Sequence, residues 1–173
     1  MDMINMKSNH GFTLMENTSL AIATIAFGIM AGFFWTYSFN VNYAMQQVDG
    51  STYAQVQSLF NQNVRHSMFF IFFFGGGAFS VIAILFNLKQ RQSVSFWMLV
   101  LASVIYIVGV IIYTKQVNLP LNYYTESWNI TNLPNDWEAT RDSWNNANLL
   151  RVVTSFMAFL MCVAAFVIRS SRL

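Results

Sequence analysis

The sequence predicts an all-α membrane protein: a four-helix transmembrane bundle with helices 2 and 4 extended beyond the membrane on the outer side. Three observations carry that prediction. Only 9% of the 173 residues are charged and 55% are hydrophobic, against a charged fraction of about 25% in soluble domains, so no water-facing exterior can be assembled. Four apolar runs reach or approach the roughly 18 residues needed to cross a bilayer. The polar residues that remain crowd between the third and fourth runs, where 118–151 holds both prolines and three of the five tryptophans.

In chain order, residues 1–18 read as a cytoplasmic tail and 19–173 as a single four-span membrane domain. The apolar run after the tail is longer than the ~7–15 residues of a signal peptide, and no small-residue cleavage site follows it. Spans are expected at about 19–43, 66–88, 94–113 and 149–168, with a polar outer cap over 114–148. In the first span, Gly28 and Gly32 form a GxxxG that admits a close neighbouring helix. Gly28, Gly32, Trp35, Phe39 and Asn42 share one face. That face is either a packing surface with an interfacial Trp or, with Tyr37, one wall of a site.

Asp49-Gly50-Ser51 reads as a turn and helix start. Residues 51–65 carry Tyr53, Val56, Phe60 and Val64 at helical steps, so they form an amphipathic extension expected to run unbroken into the second span. Gly75-Gly76-Gly77 lacks the preceding strand of a phosphate loop, leaving close packing or a kink. The third span is nearly featureless, apart from Tyr106, Gly109 and Tyr113 on one face. Pro120 is expected to turn the chain, with Asn118 and Asn122 bonding backbone groups freed there.

Asn135 is the expected N-cap of the last helix, with Glu138 three residues on. No Pro or Gly follows, and a helix from there to residue 168 is about 50 Å long at ~1.5 Å per residue. That exceeds the ~30 Å of hydrocarbon, so its first turns stand above the membrane. On it Trp137, Arg141, Trp144, Asn148, Arg151 and Ser155 recur every three or four residues as one stripe. As structure the stripe is an aromatic belt with snorkelling arginine. As chemistry it offers aromatic walls and fixed cations to a planar, oxygen-rich anion. Arg151 lies just inside the apolar run, a depth at which an ionisable side chain faces a partner or a cavity.

Four spans put Lys7, Lys89, Arg91, Arg169 and Arg172 on one side and the acids of the cap on the other with Arg65, Lys115, Arg141 and Arg151. The positive-inside rule therefore predicts both termini in the cytoplasm. A net charge of +2 without a basic cluster excludes nucleic acid as a partner. The single cysteine, Cys162, has no partner for an intrachain disulfide and reads as a packing residue. His10, His66 and the scattered carboxylates match no metal-ligand spacing, and no nucleotide fingerprint or Ser/His/Asp arrangement is present.

Asn118-Leu119-Pro120-Leu121-Asn122 after the third span, then Trp137, Trp144-Asn145 and Arg151 opening the fourth, resembles the DUF1772, or anthrone oxygenase-like, family of integral membrane proteins. Either Asn145 or Asn148 is the equivalent of the family's asparagine. The first half is similar more loosely, through the aromatic first span and the helix bearing Gln57 and Asn61. The resemblance implies oxidation of an anthrone to an anthraquinone by O2 with no cofactor. An acidic benzylic C–H needs a base, an oxyanion stabiliser and a dry aromatic pocket. On this reading His66 is the base and Arg151 the oxyanion stabiliser. Asn118 and Asn122 orient the substrate, and Trp35, Asn42, Tyr113, Trp137, Arg141, Trp144, Asn145 and Asn148 line its site. A lone His at the start of a span is more often an interfacial hydrogen-bonding residue, the alternative reading of His66. The competing function is a non-catalytic accessory subunit or small-ligand binder. The expected partners are the lipid bilayer, a hydrophobic aromatic small molecule and a second copy or another membrane protein.

Overall fold

A computed structural model describes residues 12–171. Its five principal helices are α1 (Leu14–Met45), α2 (Gly50–Asn63), α3 (Ser67–Phe86), α4 (Val94–Glu126) and α5 (Trp137–Ser170). All but α2 are long and apolar enough to cross a membrane. Their outward surface is apolar: Ile25, Phe74, Val104 and Met157 are between 47% and 59% exposed, in a continuous belt that water would not tolerate. The protein is an all-α, integral membrane bundle.

The four long helices alternate in direction. α1 packs on α3 and α5, and α4 closes the ring against the same two. One end of the bundle, the cap end, gathers the end of α1, α2, the end of α4 and the start of α5. The other, the terminus end, gathers the start of α1, the 87–93 connection and the end of α5. Between them Phe27, Leu99, Val110, Ala158 and Cys162 are fully buried. The Phe27 and Tyr106 rings meet 4.6 Å apart across the bundle. Gly76 makes room for Tyr106, since a Cβ there would lie 2.7 Å from the phenol ring, and the Tyr106 hydroxyl donates to the Phe73 carbonyl at 3.0 Å. Gly28 faces the Phe159 ring, 3.0 Å from where a Cβ would stand, whereas Gly32 meets nothing within 4 Å. The GxxxG is thus half used.

Four boundaries differ from expectation, each for a local reason. Thr13 and Glu16 form a reciprocal capping box, so α1 starts at Leu14, inside the stretch read as tail. Residues 1–11 of that tail, with Lys7 and His10, and Arg172 at the other terminus lie outside the described residues. α2 does not run into α3: it ends at Asn63, and His66 adopts an extended backbone and caps α3, its Nδ1 accepting from the Phe69 N–H at 3.4 Å. An Arg65–Glu126 ion pair ties this break to the end of α4.

Pro120 does not turn the chain. α4 continues to Glu126 because two π-helical segments, Ile107–Ile112 and Thr114–Asn118, precede the proline. The Leu119 N–H bonds the Thr114 carbonyl five residues back. This wider ladder relieves the clash and the missing bond that a proline imposes on an α-helix. Finally, α5 starts at Trp137 with Asp136, not Asn135, at its N-cap position. The Asp136 carboxylate is held instead by the Tyr124 hydroxyl at 2.9 Å.

Candidate functional site

The ladder between α4 and α5 fixes which polar residues meet at the cap end. The Trp144 indole N–H donates to Asn122 Oδ1 at 2.6 Å. Two turns further in, Arg151 Nη1 reaches Thr114 Oγ1 at 3.5 Å. Deeper still, Gly109 lies against Thr154. In this antiparallel register Asn118, one turn from each of Thr114 and Asn122, falls in the layer of Asn148. Asn118 is wholly buried, and neither atom of its amide has a hydrogen-bond partner.

Arg151 is the centre of the layer. It is 6% exposed. Its guanidinium lies between the Phe34 ring at 4.7 Å and the Trp144 ring at 5.6 Å. Nη2 donates to Asn148 Oδ1 at 2.7 Å, and Nε is buried without a partner. Asn148 in turn donates through Nδ2 to the Ser38 hydroxyl at 2.7 Å and to the Phe34 carbonyl at 3.2 Å. That carbonyl lies just ahead of a third π-helical segment, Tyr37–Val41, where the backbone ladder changes register and leaves acceptor capacity for a side chain. Among the described residues the ion pairs are Arg65–Glu126 and Arg141–Asp142, so Arg151 has no carboxylate. A buried cation without a counter-charge is costly unless something anionic shares its site.

One wall of the layer is aromatic and polar together. Tyr37 packs on Trp144 with ring centroids 4.7 Å apart. Its hydroxyl donates to Gln57 Oε1 at 2.5 Å, Gln57 donates to Asn61 at 3.1 Å, and Asn61 donates to Thr125 at 3.2 Å. Gln57 and Asn61, four residues apart on the buried face of α2, thereby hold Tyr37 against the arginine layer. The Asp49 N-cap starts this helix. The Thr52 N–H and, next, its hydroxyl hold the Asp49 carboxyl below its usual range. Burial pushes the Tyr53 phenol above its own.

The predicted site residues fall into three groups. Asn118, Asn122, Trp144, Asn148 and Arg151 come together as described, with Tyr113 half-buried next to Thr114. Trp137 and Arg141 form a second tier above them, the guanidinium 5.1 Å from the Trp137 ring and 5.9 Å from the Tyr53 ring. Asn42 and Asn145 line a groove of about 360 Å³ between the π-helical turn of α1 and the first turns of α5, along with Ser38, Phe39 and Leu149. Two residues stand apart. Trp35 is 48% exposed, on the outer surface against Phe39 and Phe156. His66 is exposed at its capping position, and its ring makes no hydrogen bond to the arginine layer. Asn118 and Asn122 do not bond freed backbone as expected, since π-helical turns leave no such turn to serve.

Sequence reasoning missed Phe34, Ser38 and Thr114, which carry no chemical signature of their own. It also missed the polar network at the terminus end. There Arg169 is 4% exposed and donates to Ser95, Asn17, Asn87 and the Glu16 carbonyl at 2.8–3.3 Å. Its one warning sign was an arginine and an asparagine at apolar-run ends that converge. Among the described residues, no group of three or more His, Cys, Asp or Glu is placed to hold a metal ion.

A sequence model described as anthrone oxygenase matches residues 60–161, more than half of the chain and all of the α4–α5 ladder. No curated protein matches the chain. No solved structure matches it either.

Proposed function

The chain belongs to the anthrone oxygenase family, and on that premise we propose that it oxidises a flat aromatic ketone with O2 at the Arg151 layer. The observation that carries this reading is the buried Arg151, without a carboxylate, flanked by two aromatic rings, with the unpartnered amide of Asn118 one turn along α4 from its contact Thr114. Such a layer suits an oxyanion on a planar ring system better than it suits a neutral ligand.

The chemistry balances with O2 as the only co-reactant. Loss of a proton from the CH2 between two rings gives an enolate whose oxygen lies against Arg151 Nε and the Asn118 amide. The conjugated carbanion passes one electron to O2. The resulting radical and superoxide join, forming a C–O bond at the same carbon. Protonation and loss of water from that peroxide leave a second carbonyl, so ketone plus O2 gives quinone plus water. Phe34, Tyr37 and Trp144 hold the rings flat and exclude water. Arg151 lowers the barrier by stabilising the enolate, which makes the benzylic proton more acidic and lessens the demand on a base. His66 remains a candidate base, and its exposed capping position argues for a smaller part than Arg151.

In the membrane we read the cap end as outer and both termini as cytoplasmic, from the distribution of basic residues. The end of α4 and the start of α5 then project beyond the hydrocarbon.

The test is O2 uptake by purified protein in nanodiscs given an anthrone. One O2 consumed per quinone formed, lost in Arg151→Met, supports the reaction; equal turnover in the variant overturns it. A second reading, a binder without turnover, is favoured by one observation: the hydrogen-bonded residues around Arg151 are amides and hydroxyls, with no carboxylate or imidazole among them. Saturable quinone binding without O2 uptake would select it.

A further inference from the structure

Beside the arginine layer a circuit of contacts closes on itself. The Tyr37 hydroxyl donates to Gln57 Oε1 at 2.5 Å, Gln57 Nε2 to Asn61 Oδ1 at 3.1 Å, and Asn61 Nδ2 to Thr125 Oγ1 at 3.2 Å. The Thr125 hydroxyl donates on to the Asn122 carbonyl at 3.0 Å. Asn122 Oδ1 accepts from the Trp144 indole at 2.6 Å, and the Trp144 ring returns to Tyr37 with centroids 4.7 Å apart. Five hydrogen bonds and one aromatic contact thus join α1, α2, α4 and α5.

Stability alone does not call for such a circuit. α2 buries Tyr53, Ala54, Gln57 and Asn61, so half of its inward face is amide. Apolar side chains of the same shape in place of a buried hydrogen-bonded pair are often neutral. What the amide adds is direction. Gln57 Oε1 fixes where the Tyr37 hydroxyl points, and hence the tilt of a ring that Phe60 meets edge-on at 5.9 Å. Gln57 is wholly buried, and Asn61 and Thr125 are 3% and 1% exposed, so bulk water does not replace a bond lost from the circuit. Tyr37 also opens the π-helical segment Tyr37–Val41, a widened turn of a kind that recurs at functional sites. The circuit meets the guanidinium through the Trp144 ring at 5.6 Å. Two side chains, Tyr37 and Trp144, therefore separate Gln57 from Arg151.

We propose that Gln57 is a positioning residue for the reaction at Arg151. It sets the Tyr37 and Trp144 rings at a fixed tilt to the guanidinium and does so without touching the ligand. This rests on the reading that Arg151 takes the charged oxygen. A rigid wall bears on the transition state, where orientation counts most, whereas affinity from burying aromatic surface survives a loosened wall.

The experiment compares Gln57→Leu, Tyr37→Phe and the double variant with wild type in nanodiscs. It reads O2 uptake over a range of anthrone concentrations, normalised to folded protein. Gln57→Leu is expected to lower kcat at least about tenfold, since a misplacement of ~1 Å costs up to about 10²-fold, with KM within about twofold. Tyr37→Phe removes one oxygen, opens the same bond and should do likewise. The double variant should be no slower than the slower single, because both act through one hydrogen bond. Thr125→Val opens the circuit on its far side and takes the place of Gln57→Leu, with the same expectation, where the latter does not fold. Binding of redox-inert anthraquinone, read by quenching of tryptophan fluorescence, should stay within about twofold throughout. Losses that multiply in the double variant overturn the proposal, because Gln57 then acts by a route other than Tyr37. Unchanged kcat per folded molecule in the single variants overturns it too, and assigns the circuit to stability. Weakened anthraquinone binding or a raised KM at constant kcat rejects it in favour of a part in binding. O2 uptake by wild type keeps the two claims apart. Turnover that depends on Arg151, and not on Gln57 or Tyr37, leaves the reaction standing without the circuit; no turnover by wild type removes the reaction itself.

Discussion

Helix α5 buries two arginines, one near its middle and one near its C-terminal end, and they are satisfied in different ways. At the terminus end Arg169 Nε donates to Ser95, Nη1 to Asn17 and the Glu16 carbonyl, and Nη2 to Asn87. The Phe12 ring lies 4.2 Å from its guanidinium. Asn87 is itself fixed, donating to the Ala83 carbonyl at 2.8 Å. Every nitrogen of that guanidinium is engaged, and the acceptors come from three different segments. At the cap end Arg151 has Asn148 at 2.7 Å, Thr114 at 3.5 Å, nothing at Nε and an unpartnered asparagine in its layer. The two burials are similar, 6% and 4% exposed. The difference is that Arg169 is used up by the fold while Arg151 is not. A fully bonded arginine clamps helix ends; an incompletely bonded one retains donors for a ligand.

The largest effect separating the two concerns chemistry. Arg151→Met removes the charge at nearly constant volume, and turnover is expected to fall by about 10²–10³, the cost of losing an oxyanion donor. Stability should change little or rise, since an apolar residue of similar volume often replaces a buried charge at no cost. O2-uptake rates and melting temperature in detergent check both halves. A destabilised Arg151→Met with normal turnover would erase the distinction between the two ends.

Arg169→Met should behave oppositely. It strands the Asn87 and Asn17 acceptors and the Ser95 hydroxyl, and a loss of about 3 kcal/mol is expected from several buried polar groups left short of partners. Turnover per folded molecule should remain within about twofold, because no contact joins this network to the arginine layer. Unfolding in a denaturing detergent series, with activity normalised to folded protein, makes the measurement.

A subtler comparison uses two asparagines, each wholly buried. Asn87→Leu unpairs Arg169 and is expected to cost about 2 kcal/mol. Asn118→Leu removes an amide with no partner and should be neutral or stabilising by up to about 1 kcal/mol, while lowering turnover about tenfold or more. A stability loss at Asn118 matching that at Asn87 would mean that its amide is a structural element.

How much of this was legible in the sequence depends on whether the signal was periodic or tertiary. The four spans follow from composition and run length. The Trp/Arg/Asn stripe of α5 follows from the 3.6-residue repeat, and in the structure the Arg141 guanidinium lies against Trp137 and that of Arg151 against Trp144. Pro120 misled because the local rule for proline is sound, and a switch to an i−5 ladder has no side-chain mark. The terminus-end network was hidden for another reason. Glu16, Asn17, Asn87 and Ser95 each look like ordinary polar flanks of an apolar run, and only packing brings them onto Arg169. The choice between Asn145 and Asn148 could not be made from spacing, because both lie near the stripe. The fold separates them, Asn148 to the guanidinium and Asn145 to the groove.

The smallest predicted effect concerns His66, where a capping and a chemical role diverge under one pair of substitutions. As a cap, the imidazole accepts from the Phe69 N–H at 3.4 Å, a long bond. Asn is a stronger N-cap than most residues and Ala a poor one, a difference of about 1 kcal/mol. His66→Asn should therefore match or exceed wild type in melting temperature, with His66→Ala below it by the cost of a cap. If His66 only caps, both variants turn over within about twofold of wild type once normalised to folded protein, because an exposed cap touches no reacting atom. If instead it is the base, Asn fails as badly as Ala, with a loss of about 10²-fold or more, although Asn restores the helix start. Stability and turnover then move independently. The two variants thus decide whether the cap end needs a base beyond the acidity that Arg151 confers on its substrate.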